Sequence, residues 1–397
     1  MIIKPVIKNN ISVRVHPVGC KENVKRQIQV TKERGTFKGP KKVLIIGGSS
    51  GYGLASRITL GFGAGSDTIN VSYEAPPKKG TKTGTAGWWN NVFFQQYAEK
   101  EGLNYKDFVG DAFSLEMKKN VVEYIKKEFG KIDLLVYSLA SNKRKDPHTG
   151  ELYESSLKTI GEKVEGYSLD IGEKKLIHQV MEPATEEEIR QTVKVMGGED
   201  WQMWVDMLQE EDLLAPNFKT VSYTYIGSKA TYPIYNEGTI GKAKEHLEQT
   251  AKKLKENLKT IDGDARISSS KAIVTKASAY IPIFPVYGAI LYKVMKEEGT
   301  HEREIEQKNR LFRDMIYGEN PIIDEQGRYR PDFIELDEKV QAKVERALQE
   351  ATPETIEEYG DLEGFIEDFM KINGFCFDGV DYDKDIDLKE YEKIVLK

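Results

Sequence analysis

An apolar run that leads directly into a glycine-rich turn is the feature that most constrains the fold of this chain. Residues 42–47 are almost entirely apolar, and Gly47, Gly51 and Gly53 follow with the spacing Gly-x-x-x-Gly-x-Gly. Such a turn lets the backbone approach a pyrophosphate, whose charge rests on backbone N–H groups and a helix N-terminus. Glu74 ends the next apolar run, where a carboxylate accepts hydrogen bonds from an adenosine ribose. Together these features predict a dinucleotide-binding α/β fold.

Strand and helix patterns alternate through the first half of the chain. The alternation predicts a doubly wound parallel sheet flanked by helices on both faces. The predicted elements are strands at 42–47, 68–74, 105–109 and 132–138, with helices at 54–62, 88–101 and 114–129.

The second half of the chain contains an insertion and a helical extension. Residues 142–180 are polar and contain several glycines, which predicts an inserted hairpin or loop region at the functional edge of the sheet. Residues 301–397 are highly charged, and we predict that they are mostly helical. Because no long low-complexity linker divides the chain, we expect one enlarged dinucleotide-binding domain over residues 1–397, with its core at about 40–300. Between insertion and extension we predict helices at 185–196, 200–211 and 241–258 and a strand at 220–225.

Composition excludes several classes of protein. The 58 basic and 64 acidic residues are interspersed and give a net charge of -6, so nucleic acid is not an expected partner. Cys20 and Cys376 are far apart, and the five histidines lack metal-ligand spacing, so we expect free thiols and no metal site. The first charge comes at Lys4, and the N-terminus carries no apolar h-region. We therefore expect no signal peptide and a cytoplasmic protein.

Residues 277–293 form the most apolar stretch of the second half. They hold about a dozen apolar residues and two prolines. The stretch is shorter than the ~20 residues that a membrane-spanning helix needs. We expect a buried helix of the core or the wall of an apolar pocket, and no stable insertion in a membrane.

The acidic residue Glu74 also predicts which dinucleotide is bound. A carboxylate at this position repels a 2′-phosphate, so NADH is expected to be preferred over NADPH. Lys78, Lys79 and Lys82 lie nearby and weaken this argument, because a flexible lysine can accept the phosphate. The segments 111–112 and 138–140 follow the third and fourth predicted strands, where the adenine and the nicotinamide-side ribose would lie. A plain strand-end or N-cap role explains these two segments almost equally well.

Three tyrosine–lysine pairs are candidates for a proton donor with its activating cation. A cation near a phenol lowers the phenol's pKa and can also hold a ribose. Tyr225 and Lys229 have Tyr-x3-Lys spacing, although Gly227 between them disfavours a catalytic helix. Tyr235 pairs with either Lys242 or Lys244. A continuous helix would favour Lys242, but residues 236–241 are poor helix formers, so periodicity leaves both lysines open.

Seven short segments, in this order along the chain, resemble the trans-2-enoyl-CoA reductases and the related FabV-type enoyl-ACP reductases. The resemblance extends from residue 1 to about Asp381. It implies a Rossmann-type fold of the short-chain dehydrogenase superfamily and NADH-dependent reduction of enoyl thioesters in fatty acid or butyrate synthesis. The segments are His16-Pro17-x-Gly19-Cys20, Gly51-Tyr-Gly-Leu-Ala-Ser-Arg57, Gly84-Thr-Ala-Gly-Trp88, Gly110-Asp-Ala-Phe113, Val136-Tyr-Ser-Leu-Ala-Ser141, Val195-Met-Gly-Gly-Glu-Asp-Trp201 and Lys293-Val-Met-Lys-Glu297.

The same resemblance implies roles for individual residues. The family's Tyr-x8-Lys motif falls on Tyr235 as proton donor and on Lys244 as the group that binds the NADH ribose and phosphate. Tyr225 is implied to contact the thioester carbonyl. Relatives usually carry Val-Asn-Lys where this chain has Ser269-Ser270-Lys271. The implied cofactor contacts are Gly47, Gly48, Ser49, Ser50, Gly51, Tyr52, Tyr73, Glu74, Asp111, Ala112, Leu139, Ala140, Lys244, Ile273, Val274 and Thr275.

The chemistry implied is a conjugate reduction of a CoA or acyl-carrier-protein thioester by a monomeric enzyme. Hydride adds to Cβ of the trans-2 double bond, and a donor stabilises the enolate oxygen. Residues 143–145 are a possible docking patch for acidic carrier or CoA phosphates, but a solvated run of charges is the favoured explanation of these residues. Two other functions stay open: a carbonyl reductase that uses Tyr225 and Lys229, and a regulator that senses a dinucleotide without catalysis. Plain core packing is an equal alternative for the candidates for the acyl pocket, which are Tyr280, Ile283, Phe284, Val286 and Tyr287.

Overall fold

The computed structural model describes residues 1–8, 10–78, 82–275, 278, 281, 283–391, 394 and 396. Lys79 and Tyr280, which the sequence analysis singled out, lie outside these residues. The strands are β1 (Ile7–Lys8), β2 (Ile11–Ser12), β3 (Lys42–Ile46), β4 (Asp67–Ser72), β5 (Tyr105–Val109), β6 (Ile132–Tyr137), β7 (Lys143–Lys145), β8 (Leu152–Glu154), β9 (Val164–Asp170), β10 (Lys175–Met181), β11 (Leu214–Thr224) and β12 (Asp264–Ser269).

The helices of the described residues lie before, between and after the strands of the main sheet. They are α1 (Pro17–Glu33), α2 (Gly51–Ile58), α3 (Ala86–Glu101), α4 (Leu115–Tyr124), α5 (Glu186–Met196), α6 (Glu199–Glu210), α7 (Tyr232–Tyr235), α8 (Thr239–Asn257), α9 (Phe284–Glu297), α10 (Glu304–Arg310), α11 (Glu338–Glu350), α12 (Ile356–Tyr359) and α13 (Leu362–Ile372).

The main sheet is parallel and has the strand order β12-β11-β6-β3-β4-β5. The chain runs outward from β3 through β4 to β5, then crosses to β6 on the other side of β3 and continues outward to β11 and β12. This order confirms the predicted doubly wound fold. The strand order reverses between β3 and β6, and ligands of such sheets bind outside the carboxyl ends of the strands at this switch point.

The strand β3 is central because both of its faces are buried. Val43, Leu44, Ile45 and Ile46 are all completely inaccessible to solvent. Two hydrophobic clusters divide them, since Leu44 and Ile46 pack with one cluster and Val43 and Ile45 with another. A continuous apolar run, without alternation, is what a parallel strand covered by helices requires.

Observed element bounds differ from the predicted ones mainly at helix ends. The helices predicted at 54–62 and 114–129 each end in a turn of π-helix, at Thr59–Gly63 and Ile125–Phe129. The strand predicted at 220–225 begins earlier, at Leu214, and β11 has an irregular register between Leu214 and Lys219. Sequence patterns did not reveal α1 or β12.

The predicted insertion forms two antiparallel hairpins, β7–β8 and β9–β10. The docking patch predicted from residues 143–145 is wrong as a unit. Arg144 is 1% exposed, and its guanidinium donates to the Lys194 carbonyl at 2.7 Å and to Glu199 at 2.5 Å. The Arg144 guanidinium is therefore buried and paired within the protein, so it cannot bind an acidic partner.

The C-terminal extension packs against α9, which confirms that residues 277–293 contribute a buried helix. One hydrophobic cluster joins Ile3 at the start of the chain, Tyr287 in α9 and Phe365 in α13 with Ile386 near the end. The N-terminal amino group also donates to the Ile386 carbonyl at 2.7 Å. Among the described residues, no helix combines the length and the apolar character that crossing a membrane requires.

Candidate active site

A cavity of about 470 Å³ opens at the carboxyl edge of the sheet, over the switch point. This volume lies within the range of small-molecule and cofactor sites. Its walls come from the turns after β3, β4, β6 and β12, together with α1, α3, α9, α10 and α13. The lining residues are Asn23, Gly47, Ser49, Ser50, Gly51, Tyr52, Ser72, Tyr73, Glu74, Asn90, Ser138, Leu139, Ala140, Ile273, Val274, Thr275, Tyr292, Arg303, Glu304, Asp368, Lys371 and Ile372.

The glycine turn after β3 forms the floor of this cavity. Gly47 has φ +91°, and a Cβ atom there would lie 2.3 Å from the carbonyl oxygen of Ser138 in the turn after β6. Only glycine allows these two turns to meet at the switch point. The helix α2 begins at Gly51, so the unpaired N–H groups of its first turn lie beside the cavity. This arrangement fits the diphosphate of a dinucleotide.

Glu74 is held at the rim of the cavity, beyond the end of β4. One carboxylate oxygen accepts from the Ser49 hydroxyl at 2.6 Å, and the other accepts from the hydroxyl of Thr85. A Cβ atom at Gly87 would lie 1.9 Å from the Glu74 carboxylate, so glycine is needed at that position. Thr85 caps α3, and the positive end of this helix dipole favours the carboxylate. Glu74 therefore presents a fixed negative charge at the cavity.

Two tyrosines lie close together beyond the ends of β11 and α7. Tyr225 follows β11, and Tyr235 is the last residue of α7. Their rings meet edge to face, with centroids 4.7 Å apart, and Phe284 lies 5.9 Å from the Tyr235 ring. Burial raises the pKa of both hydroxyl groups above the ordinary value, with Glu335 adding to the effect. Both tyrosines are therefore neutral hydrogen-bond donors at neutral pH.

The structure separates the three tyrosine–lysine pairs that the sequence left open. Lys229 is exposed, while the Tyr225 hydroxyl donates to the buried Glu335 at 2.9 Å. Lys242 is exposed and pairs with Glu245 at 3.0 Å. Lys244 is partly buried on α8, and its Nζ donates to the Tyr223 carbonyl at 3.3 Å, next to the strand end that carries Tyr225.

The pKa of Lys244 is unusually low for a lysine. Burial lowers its pKa from 10.5 to about 8. The helix predicted at 241–258 is α8, which begins at Thr239, whereas Tyr235 ends the separate helix α7, so Lys244 lies in an early turn of α8. At neutral pH the Nζ group is therefore charged, but it loses its proton at a lower pH than an ordinary lysine does. An anionic or hydroxyl-rich ligand would stabilise the charged form.

Some predicted cofactor residues lie outside the lining of the cavity. Gly48 donates its N–H to the Asn70 side chain at 2.8 Å. Asp111 accepts from the Phe113 N–H at 2.9 Å, and the Ala112 carbonyl accepts from Lys118 at 2.8 Å. Tyr225, Tyr235 and Lys244 also lie outside this lining.

The lining includes residues that sequence patterns missed. Arg303 pairs with Asp368 at 3.1 Å, and Lys371 lies 3.7 Å from the same carboxylate. These charged groups come from α13 and the start of α10 and line the same cavity as the glycine turn. The only feature of the local sequence that could have indicated these lining residues was the high charge of the extension. High charge is also typical of a helix face that meets solvent. Other lining residues missed are Asn23, Ser72, Asn90, Tyr292, Glu304 and Ile372.

A glycine turn after the first strand of a doubly wound sheet, with an acidic residue after the second, defines the class of dinucleotide-dependent oxidoreductases. Family models narrow this class. They match residues 2–79 as the NAD(P)H binding domain of trans-2-enoyl-CoA reductase, residues 82–317 as the trans-2-enoyl-CoA reductase catalytic region and residues 323–386 as an enoyl reductase FAD binding domain. The chain belongs to the trans-2-enoyl-CoA reductase family.

Individual relatives match over almost the whole chain. A trans-2-enoyl-CoA reductase [NADH] from Clostridium beijerinckii is 52% identical over 99% of this chain and 100% of its own. An enoyl-[acyl-carrier-protein] reductase [NADH] from Saccharophagus degradans is 50% identical over 97% of this chain and 98% of its own. The crystal structure of Clostridium acetobutylicum trans-2-enoyl-CoA reductase with NADH superposes with a TM-score of 0.97, at 49% identity and 99% coverage of both chains.

The described residues fit one dinucleotide, and they do not form a second site for a flavin. Residues 323–386 are all described, and they contribute helices and turns but no strand of the main sheet. A dinucleotide-binding site in this fold needs a strand, a glycine turn and a helix in succession. Asp368, Lys371 and Ile372 of this segment instead line the cavity that the glycine turn forms. We assign no step to a flavin.

Proposed function

We propose that this protein is an NADH-dependent reductase of the trans-2 double bond of enoyl thioesters, in fatty acid or butyrate synthesis. The observation that carries the proposal is the combination of a dinucleotide cavity at the switch point with two neutral tyrosines, Tyr225 after β11, which is partly buried, and Tyr235 at the end of α7, which is buried. Relatives of both kinds, named for CoA and for acyl-carrier-protein substrates, support the reaction class.

In this mechanism the chain supplies hydrogen-bond donors and a cation. When bound, NADH supplies the hydride that adds to Cβ of the substrate. The hydroxyls of Tyr225 and Tyr235 donate to the thioester oxygen as it becomes an enolate, and each donor is worth ~2–4 kcal/mol in a water-poor site. Tyr235 is the proton donor for the enolate. Lys244 would hold the cofactor ribose and phosphate through its charged Nζ.

The acyl chain is proposed to lie against the start of α9. Phe284 is buried and packs against both tyrosine rings. Its ring centroid lies 6.2 Å from that of Tyr225 and 5.9 Å from that of Tyr235. Ile283 donates its N–H to the Tyr167 carbonyl of β9 at 3.2 Å, so the β9–β10 hairpin covers this end of the helix. Val286 and Tyr287 continue the apolar surface.

The proposal is tested by following NADH oxidation with crotonyl-CoA and with a carrier-protein-bound crotonyl thioester. We expect oxidation that depends on the enoyl thioester and yields the saturated product. A ketone substrate serves as the control for a carbonyl reductase. NADH binding without turnover of any thioester would instead favour a sensing regulator and overturn the proposal.

Glu74 is proposed to exclude a 2′-phosphate from the cofactor site. Replacing Glu74 by Ala removes the fixed charge between Ser49 and Thr85, so we expect the ratio of kcat/KM for NADPH to that for NADH to rise about tenfold or more. The control is Glu101→Ala at the far end of α3, where the carboxylate pairs with Lys32. An unchanged ratio in Glu74→Ala would contradict the role of this charge.

We also propose that residues 1–397 form one unit, with a core at about 40–300, an insertion at 142–180 and an extension at 301–397. The hydrophobic cluster that joins Ile3 to Ile386 supports this organisation. Cys20 and Cys376 are not joined in a disulfide, which supports a cytoplasmic location. A monomeric state is proposed as well, and light scattering should then give the mass of one chain, 45.1 kDa.

A further inference from the structure

Glu335 is a buried carboxyl group that lies directly behind Tyr225. It is completely inaccessible to solvent and follows the 3₁₀ turn Pro331–Ile334. Its Oε1 atom accepts from the Tyr225 hydroxyl at 2.9 Å and from the Tyr287 hydroxyl at 2.8 Å, and its Oε2 atom accepts from the Ala272 N–H at 2.5 Å. The mechanism above gives Glu335 no role, although it touches a tyrosine placed at the thioester.

Counting hydrogens shows why the protonation state of Glu335 matters. The Tyr225 hydroxyl has one hydrogen. An ionised Glu335 can only accept, so this hydrogen points at the carboxylate and away from the substrate. A Glu335 protonated on Oε1 donates to the Tyr225 oxygen and leaves the Tyr225 hydrogen free. Oε1 can then still accept from Tyr287, and Oε2 still accepts from Ala272.

The surroundings of Glu335 favour its neutral form. Burial raises the pKa of this carboxyl group, against the opposing charge of Lys271. The Lys271 Nζ donates to the Ala272 carbonyl at 2.8 Å and to the Glu302 carbonyl at 3.4 Å, so it does not neutralise Glu335 by a direct ion pair. The titratable groups that face Glu335 are Tyr52 on α2, Tyr225 after β11, Tyr235 on α7, Lys271 after β12 and Tyr287 on α9.

We propose that Glu335 is a positioning residue whose protonated form donates to Tyr225 and thereby aims the Tyr225 hydrogen at the thioester oxygen. This inference rests on the proposed function, because it requires Tyr225 to act on the substrate. Its consequence is a pH dependence. Glu335 loses its proton as the pH rises, Tyr225 then turns its hydrogen to the carboxylate, and kcat at saturating substrates falls on the alkaline side.

Two variants test this assignment through the pH profile of kcat. In Glu335→Gln, the amide oxygen can accept from Ala272 while the amide N–H donates to Tyr225 at every pH, so the alkaline limb should disappear. In Tyr287→Phe, Glu335 loses a donor that favours its ionised form. The limb should therefore move to higher pH.

A third variant tests the contact itself. Glu335→Met removes the donor to Tyr225, and we expect kcat to fall about 10²-fold with little change in the Kd of NADH. Melting temperatures of all variants show whether each one folds. An alkaline limb that stays at the wild-type pH in Glu335→Gln, or a wild-type kcat in Glu335→Met, would overturn the inference. Failure of the proposed function looks different, because the wild type itself would then oxidise no NADH with enoyl thioesters.

Discussion

Replacing Tyr235 by Phe should lower kcat by about 10²- to 10⁴-fold, the usual contribution of a general acid. The Kd of NADH should change little, because the phenol is proposed to act on the substrate. Among the described residues the Tyr235 hydroxyl has no hydrogen-bond partner, so its removal leaves no unpaired buried group. The ring contacts with Tyr225 and Phe284 remain. Steady-state kinetics with crotonyl-CoA and a melting curve measure both effects.

Tyr232→Phe is the matched control, since Tyr232 begins the short helix that Tyr235 ends. It should keep nearly full activity. Tyr225→Phe is expected to have two effects at once, because it removes a hydroxyl proposed to act on the substrate and also a hydrogen-bond partner of the buried Glu335. Nearly wild-type turnover in Tyr235→Phe together with a large loss in Tyr225→Phe would move the proton donor to Tyr225.

The part of the cofactor site that depends on local sequence was predictable. The glycine turn and Glu74 belong to two neighbouring parallel strands, and the carboxyl ends of such strands meet at one edge of the sheet. Gly47 and Glu74 accordingly line the same cavity. The pairing of Ser49 and Thr85 with Glu74 could not be foreseen, because it depends on how closely α3 approaches β4 at Gly87.

The choice between lysines needed more than periodicity. Residues between α7 and α8 do not continue a helix, so the angular spacing from Tyr235 to Lys242 or Lys244 carries no information. The structure separates these lysines by their environment, since Lys242 is exposed and Lys244 is partly buried. The resemblance to a family, with its Tyr-x8-Lys motif, was what favoured Lys244 beforehand.

The part of the cavity lining that comes from the C-terminal extension, and the carboxyl group that contacts Tyr225, could not be predicted. Tyr225 and Glu335 are separated by 110 positions in the sequence, and Arg303, Asp368 and Lys371 come from the charged extension. Helical periodicity identifies an apolar face but does not identify the element against which that face packs. A charged residue on the opposite face then looks the same whether it meets solvent or a cofactor.

Lys244→Met provides the second large effect, this time on cofactor binding. Loss of a charge-assisted hydrogen bond of about 1.5–3 kcal/mol should weaken NADH binding by about 10- to 150-fold. Lys242→Met is the matched control on the same helix, where an exposed ion pair with Glu245 is worth about 0–1 kcal/mol. Fluorescence titration of NADH measures both. Equal effects of the two substitutions, or no effect of Lys244→Met, would exclude Lys244 as the cofactor cation.

The pKa of Lys244 gives this prediction a pH dependence with a definite sign. Because the folded pKa is about 8, below the ordinary 10.5, wild-type NADH affinity should fall as the pH rises through about 8, whereas Lys244→Met should lack this limb. The contribution of Lys244 to the free energy of unfolding changes with pH in the direction opposite to that of NADH affinity. Between about pH 8 and 10.5 the unfolded chain binds more protons at this site, so this group's contribution to the free energy of unfolding rises with pH. The melting temperature of Lys244→Met should therefore exceed that of the wild type at pH 7, and the difference should narrow above pH 8.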